Sequence, residues 1–418
     1  MRVPELRTSL ALAVCLAIVI AVGVTVVRSA DQESTVTVLA NWTGTDAANF
    51  QSTVLGPFEA KYHIKVVYQG TTAESQVLRA DVESGTPPDV AVLPGPGELA
   101  GYARNGELDS LDQLVSPHQF SSVWMPQVDG HYFWLPVKVD LKSLVWYPSG
   151  LSQNQVDTLA RTPADWCLGM SSGATSGWPG ADWIADILLQ QAGWQNYQKW
   201  VSGRLSWQDP LMVTAWQTWG RTVGAGANPR TAQALSTPFQ DVADGVSATG
   251  PGCKLEHQAS FVREPGEWTK ATPAFLPSAD LIPGALPGPQ PVEVSADLAG
   301  MFRDTPQAEE LITYLASAAP QQAWSWAEYG FSADTAAPSG SSSTHPDNEQ
   351  LAALLDDPTR VRCFDASDAM PPPMRDAFIL AVLHYLAAPQ DLHALLAGLD
   401  AIRTAQPATA WLSTVCDR

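Results

Sequence analysis

"GTPPDVAVLPGPGELAGYARNGEL", residues 85–108, reads in order as a turn, a strand, a Pro-Gly loop and a helix. A strand that hands over to a helix through a short loop is the unit of a mostly parallel sheet covered by helices. Upstream the unit recurs. "STVTVLANW" (34–42) alternates β-branched residues like a strand and stops at Asn41-Trp42. "TDAANFQSTVLGPFEAKY" (45–62) carries apolar residues at helical spacing, "IKVVYQG" (64–70) is a second strand, and "ESQVLRADVES" (74–84) is a second helix. In open α/β sheets, ligands bind outside the carboxyl ends of the strands. Here those ends are Asn41-Trp42, the loop from Gln69 to Thr72, and the loop from Leu93 to Glu98.

Downstream the pattern changes. "YFWLPVKVDLKSLVWYPSG" (132–150) is a long β-prone run placed to cross into a second lobe, and residues 151–280 are rich in tryptophan and helical by pattern. "PVEVSADLAGMF" (291–302) returns to strand character, and the amphipathic "TPQAEELITYLASAAPQQAWSWAEYG" (305–330) follows it. "AAPSGSSSTHPDN" (336–348) reads as a surface loop, and the tail is helical apart from "CFDASDAMPPP" (363–373). No internal repeat is evident.

The bulk numbers agree with two lobes. The chain has 418 residues, 45% hydrophobic, and chains beyond ~250–300 residues divide into more than one core. A net charge of −20 opposes nucleic acid or an anionic membrane surface as partner. Tryptophan outnumbers the other aromatics, with 16 Trp against 11 Phe and 9 Tyr, a bias that suits the stacking of flat ligand faces.

Arg2 and Arg7 precede an uncharged apolar run from Leu10 to Val27, the pattern of an export segment. The run is just long enough to span a bilayer, so we expect a retained anchor, with a cleaved signal as the alternative. Cys15 lies inside it and reads as one more apolar residue. Four cysteines remain beyond it, and in an exported chain an even number implies disulfides with three possible pairings. We expect Cys167–Cys253 and Cys363–Cys416, the latter worth about 4 kcal/mol on the chain-entropy argument. No Cys-x-x-Cys occurs, and neither a metal nor a cofactor is expected.

The order of segments resembles the sugar-binding proteins of ABC importers, and within them the α-glucoside-binding relatives of maltose-binding protein. The likeness rests on "GTPPDVAVLPGPGELAGYARNGELDSLD" (85–112), "VKVDLKSLVWYPS" (137–149), "TSGWPGADWIADILLQQAGWQNYQKWVSG" (175–203), "GPGCKLEHQASFV" (250–262), "VSADLAGMFRDTPQAEELITYLAS" (294–317) and "CFDASDAMP" (363–371). The resemblance implies an α/β, two-lobe, periplasmic-binding-protein-like fold of type II with a ligand cleft between the lobes. We expect a stalk up to residue 35, lobe 1 from 36–142 plus 285–332, and lobe 2 from 143–284 plus 333–418. It further implies a monomeric receptor that hands an oligosaccharide to the transmembrane subunits of a permease at the outer face of the cell membrane.

Sugars present apolar faces to aromatic rings and hydroxyls to carboxylates, amides and cations. On that chemistry Trp178, framed by Gly177 and Pro179 on a turn, is the first candidate for stacking. Asp182 fits the N-cap of the following helix or accepts a hydroxyl, and Trp183 begins the helix's buried face or reaches the ligand. Trp42 ends the first strand as a ligand contact or as a helix staple. Gly97 and Glu98 follow the third strand, where Glu98 is a hydroxyl acceptor or a helix-start acid. Thr72 and Glu74 sit after the second strand. Lys138 and Asp140 lie on the crossing run, as sugar ligands or as a mutual ion pair. His257 and Gln258 match a second-lobe cleft segment. Asp365 and Asp368 read as local caps in preference to sugar ligands, and Trp324 and Trp326, two apart, point differently, one of them into the core.

A secreted glycoside hydrolase would need two carboxylates ~5.5 or ~6.5–9.5 Å apart in a recognisable frame. None appears, nor does any Gly-x-Ser-x-Gly, His-Glu-x-x-His or P-loop. The chain is therefore expected to bind rather than catalyse, and a membrane-tethered sugar sensor is the remaining alternative.

Overall fold

A computed structural model describes residues 34–417 apart from residues 117, 228, 244–245, 250, 264–267, 269–271, 328–329 and 335–346, and apart from the side chains at 263, 326 and 327. The apolar run 10–27, most of the loop 336–348 and the Trp326 side chain lie outside that description. Among the described residues no helix is long and apolar enough to cross a membrane.

Nine strands are described. In chain order they are β1 (Thr35–Ala40), β2 (Lys65–Gly70), β3 (Val90–Leu93), β4 (Trp134–Leu141), β5 (Leu144–Pro148), β6 (Glu256–His257), β7 (Pro273–Pro277), β8 (Val292–Met301) and β9 (Arg362–Phe364). They make two sheets. The larger has the order β2-β1-β3-β8-β4 with β9 beside β8, and the smaller has the order β6-β5-β7. β1, β2 and β3 run parallel, as the strand–helix alternation predicts. β8 returns antiparallel between β3 and β4.

Burial explains the strands. Every residue of β3 is buried, as is every residue of β4, consistent with a sheet covered on both faces. The turn before β3 is fastened by Asp89, whose Oδ2 accepts from both the N–H and the hydroxyl of Thr37 at 2.8 Å. The helix Pro96–Arg104 begins at a proline, where a missing N–H costs nothing.

The run 132–150 does cross between the sheets. It leaves the larger at Leu141, enters the smaller at Leu144, and leaves Lys142 and Ser143 in between. Two further segments pass the same place and all three are laced together. Lys142 N–H donates to the Glu293 carbonyl and Glu293 N–H to Ser143 Oγ, both at 2.8 Å. Asp365 N–H donates to the Val294 carbonyl at 2.8 Å, and the Tyr197 hydroxyl bonds Glu293 Oε1 at 2.8 Å and the Phe364 carbonyl at 2.9 Å.

Residues 362–364, assigned by the sequence reading to lobe 2, pair in the larger sheet, because they extend a parallel ladder against Val292–Val294. Both expected disulfides are present: Cys167–Cys253 spans 86 residues and Cys363–Cys416 spans 53.

Candidate functional site

A cavity of about 710 Å³ opens beyond the carboxyl ends of β1, β2 and β3. One wall comes from the larger sheet and its loops and carries Trp42, Thr72, Glu74, Lys138, Asp140 and Asp297. The facing wall carries Trp178, Asp182, Phe239, Phe261, Asp368 and Arg375. Seven of the twelve residues named from sequence therefore reach the cavity: Trp42, Thr72, Glu74, Lys138, Asp140, Trp178 and Asp182.

Trp178 is half-buried, with its ring edge-on to Phe239 at 4.9 Å and tilted against Phe261 at 6.2 Å. Lys142 Nζ lies 5.7 Å from its centroid. Gly177 makes this placement possible. Its φ is +105°, and a Cβ there would sit 2.3 Å from the Ile379 carbonyl oxygen.

Asp182 does not cap its helix as expected. The helix starts at Trp178 and runs to Ala192, with Gly177 at the N-cap position, so Asp182 is inside the helix and not its cap. Pro179 in the first turn explains the earlier start. Asp182 is instead an ion-pair partner, with Oδ2 2.9 Å from Lys142 Nζ.

Lys142 is the electrostatic centre of the site. Its Nζ also lies 3.3 Å from Asp365 and 3.6 Å from Asp368. Burial alone would discharge it, but Asp182, Asp365, Asp368 and Glu293 together hold its pKa well above the usual lysine range. Asp182 is pushed well up by burial and by Asp365, and Asp368 is pushed up to about 7, chiefly by burial. Asp365 stays low despite burial, held by Lys142 and by bonds from Ser367 Oγ at 2.7 Å and the Asp368 N–H at 2.9 Å. The cap expected of Asp365 exists, and Asp368 lines the cavity as well.

On the other wall Lys138 pairs with Asp140 at 3.5 Å, and Ser260 Oγ donates to Asp140 at 2.6 Å. Lys138 faces Asp297 across the β4–β8 ladder. Asp297 is pushed up to about 6 and Glu74 up to about 7, in both cases mainly by burial.

The other five named residues lie behind the walls. Glu98 accepts from Ser75 Oγ and Arg375 Nη1, each at 2.7 Å, so it joins helix Pro96–Arg104 to helix Pro372–Ala387. Gly97 abuts residues 369–370, where a Cβ would come within 2.2 Å of the Met370 carbonyl oxygen. Trp183 stacks on His257 at 5.1 Å with a 2° interplanar angle, and His257 Nε2 meets Asp186 at 2.9 Å. Gln258 Oε1 accepts locally from the Ala259 N–H at 2.9 Å, and its backbone carbonyl accepts from Trp146 Nε1 at 2.8 Å. Each of these is satisfied by protein neighbours, which is why it packs inward.

Among the charged and aromatic wall residues, Asp46, Lys142, Phe239, Phe261, Asp297 and Arg375 escaped the sequence reading, whereas Asp368 had been read as a local cap. A signal existed for two. Lys138, Asp140 and Lys142 are spaced by two along the β-prone crossing run, the spacing that places strand residues on one face. Asp297 interrupts a strand that is otherwise buried and mostly apolar.

Two sheets joined by crossing segments, with a polar and aromatic cavity at their junction, define a two-lobe binding protein of the type II, maltose-binding-protein-like fold. The same architecture is found in the bacterial solute receptor AcbH, with a TM-score of 0.69, 14% identity and coverage of 89% of this chain and 97% of that one. The maltose-maltodextrin binding protein of Alicyclobacillus acidocaldarius matches with a TM-score of 0.66, 14% identity, and 89% and 100% coverage. The chain belongs to the family of bacterial extracellular solute-binding proteins, which it matches over residues 41–322. Membership makes it an exported solute-binding protein. Among its relatives, the osmoprotective compounds-binding protein GgtB of Synechocystis sp. is 32% identical over 309 residues, covering 64% of this chain and 69% of that one. The alpha-glucosides-binding periplasmic protein AglE of Rhizobium meliloti is 28% identical over 378 residues, covering 81% and 80%.

Proposed function

We propose that this chain captures an oligosaccharide, α-glucoside-like in composition, outside the cell membrane and passes it to the transmembrane subunits of an ABC permease. One observation carries the reading. A half-buried indole with two phenyl rings beside it faces a wall of carboxylates and hydroxyls across a cavity of about 710 Å³. Pyranoses are apolar on their faces and rich in hydroxyls at their edges, so they fit between such walls. The volume lies within the range of pockets that enclose small organic ligands, ~300–1,000 Å³. The relatives' names support the assignment, since GgtB binds osmoprotective compounds and AglE binds α-glucosides.

In this reading Trp178 stacks on a sugar ring, and Trp42, Thr72, Glu74, Lys138, Asp140 and Asp182 take the hydroxyls together with Asp297, Asp368 and Arg375. Gly97, Glu98, Trp183, His257 and Gln258 hold the walls in place. The lobes are 36–142 plus 285–332 and 143–284 plus 333–418, with β9 docked on the first. Sugar bridging both walls shifts the population toward a closed form by bending the three crossing segments. The chain acts as a monomeric binder and not a catalyst, needs no cofactor, and has no nucleic-acid partner. Residues 10–27 either keep it on the outer face or are removed.

Melting the full chain with and without maltose, maltotriose and a wider saccharide panel tests the proposal. A ligand at 100 times its Kd stabilises the fold by about 2.7 kcal/mol, so at least one sugar is expected to raise the melting temperature. If none does, the proposal fails.

A further inference from the structure

Six carboxylates reach the cavity wall: Asp46, Glu74, Asp140, Asp182, Asp297 and Asp368. Three cations reach it, and each is already held by a carboxylate. Lys138 has Asp140 at 3.5 Å, Lys142 has Asp182 at 2.9 Å, and Arg375 has Glu98 at 2.7 Å. Among the described residues the walls therefore offer a ligand many acceptors and no cation without a partner. Two oxygen-bearing groups make the imbalance concrete. Glu74 is only 6% exposed, and its carboxylate is bonded by its own backbone amide. Asp182 keeps Oδ1 buried with no donor.

An ionised carboxylate only accepts hydrogen bonds, and burying one without a donor is costly. Burial pushes Glu74 and Asp368 up to about 7 and Asp297 up to about 6, and the engaged cations nearby (Arg375 for Glu74, Lys142 and Arg375 for Asp368, Lys138 for Asp297) offset it only in part. A ligand relieves that cost if it brings N–H or O–H donors, and most of all if it brings positive charge. An anion aggravates it, because every cation that could receive it is engaged. A metal ion is a poorer answer, since no three ligating side chains among the described residues converge closely enough to hold one.

We propose that the cleft filters saccharides by charge, taking amine-bearing and uncharged sugars, binding an amine-bearing form at least as tightly as its hydroxyl parent, and rejecting uronic acids and sugar phosphates. The proposal rests on the saccharide reading and narrows it. Glu74 and Asp297, on the wall facing Trp178, are the groups that set the preference.

Three matched sets test it on the full chain by thermal shift and calorimetry. They are maltose with 6′-amino-6′-deoxymaltose and maltose 6′-phosphate, glucose with glucosamine and glucuronate, and maltotriose with its amino and carboxylate derivatives. Stabilisation is expected only from uncharged and amine-bearing members, and Glu74→Gln is expected to lower the amine-to-hydroxyl affinity ratio about fivefold. Asp297→Asn serves the same purpose if the first variant does not fold. A phosphate or carboxylate derivative that binds as well as its parent overturns the filter, and so does an amine-bearing member that binds measurably more weakly than its hydroxyl parent. Silence from every member overturns the saccharide reading itself, which is a different result.

Discussion

At the scale of single residues, Trp178 shows how a side chain can be displayed rather than packed. It touches Phe239 and Phe261 on its edges and keeps part of its surface at the cavity. Trp178→Ala is expected to weaken saccharide binding at least tenfold, about 1.4 kcal/mol, with the fold intact. Calorimetric titration of the variant checks this, and an unchanged Kd would make the indole part of the scaffold. The Gly-Trp-Pro frame made Trp178 legible in the sequence, because stiff flanking residues display what lies between them. Trp183 and His257 each kept two readings in the sequence, packing or ligand contact, and the structure packs both. Their role depends on Asp186, which lies on the same helix as Trp183 and 71 residues from His257 and captures the imidazole at 2.9 Å. Lys142 was missed for a similar reason. Its weight comes from Asp182, Asp365 and Asp368, all far from it in the chain and adjacent to it only in the fold.

At the scale of elements, helix Trp178–Ala192 is anchored by the backbone geometry just before it. Gly177 adopts φ +105°, and a Cβ added there would meet the Ile379 carbonyl oxygen at 2.3 Å. Gly177→Ala is therefore expected to destabilise the chain by more than ~2 kcal/mol, from left-handed strain and the clash together, and to reduce saccharide affinity by shifting Trp178. Denaturant unfolding measures the first effect and calorimetry the second. A variant as stable as the parent would show that the approach to Ile379 is not tight. The strands and helices of the first hundred residues were readable from period and punctuation, because each lies next to its partner in sequence. The exact start of this helix was not, since Asp182 looked like a cap and a buried lysine claimed it instead. Nor was β9, whose three residues are defined by a ladder to a strand 70 residues earlier.

For the molecule as a whole, buried acids set the response to pH. Glu74 and Asp368 are held at about 7, Asp297 at about 6, and Glu256 at about 8, all above their ordinary values and all mainly through burial. Each binds its proton more tightly folded than unfolded. Between about pH 4.5 and 8 the native state therefore carries more protons, and stability falls as pH rises. Asp186 and Asp365, held below the usual carboxylate range, act oppositely but lose their contribution only below about pH 4. Lys142, held above its ordinary value, contributes until pH passes about 10.4. Melting is thus expected roughly 3 °C or more higher at pH 5.5 than at pH 8, with Glu256→Gln flattening the slope. A melting temperature that climbs with pH would contradict this.

The two-lobe architecture itself was legible, because a crossing run and a change of composition are both written in one dimension. The pairing of walls across the cavity was not. Where the indoles lie sets how the protein fluoresces. Trp200, Trp207, Trp216, Trp219 and Trp324 are fully enclosed, and their N–H groups meet no acceptor. They will emit at short wavelength whether or not anything occupies the protein, a steady glow from rings that never meet solvent. Trp178, half-covered at the cavity, adds a weaker long-wavelength component, so an occupant will register as the loss of a red shoulder against a bright and unchanging background.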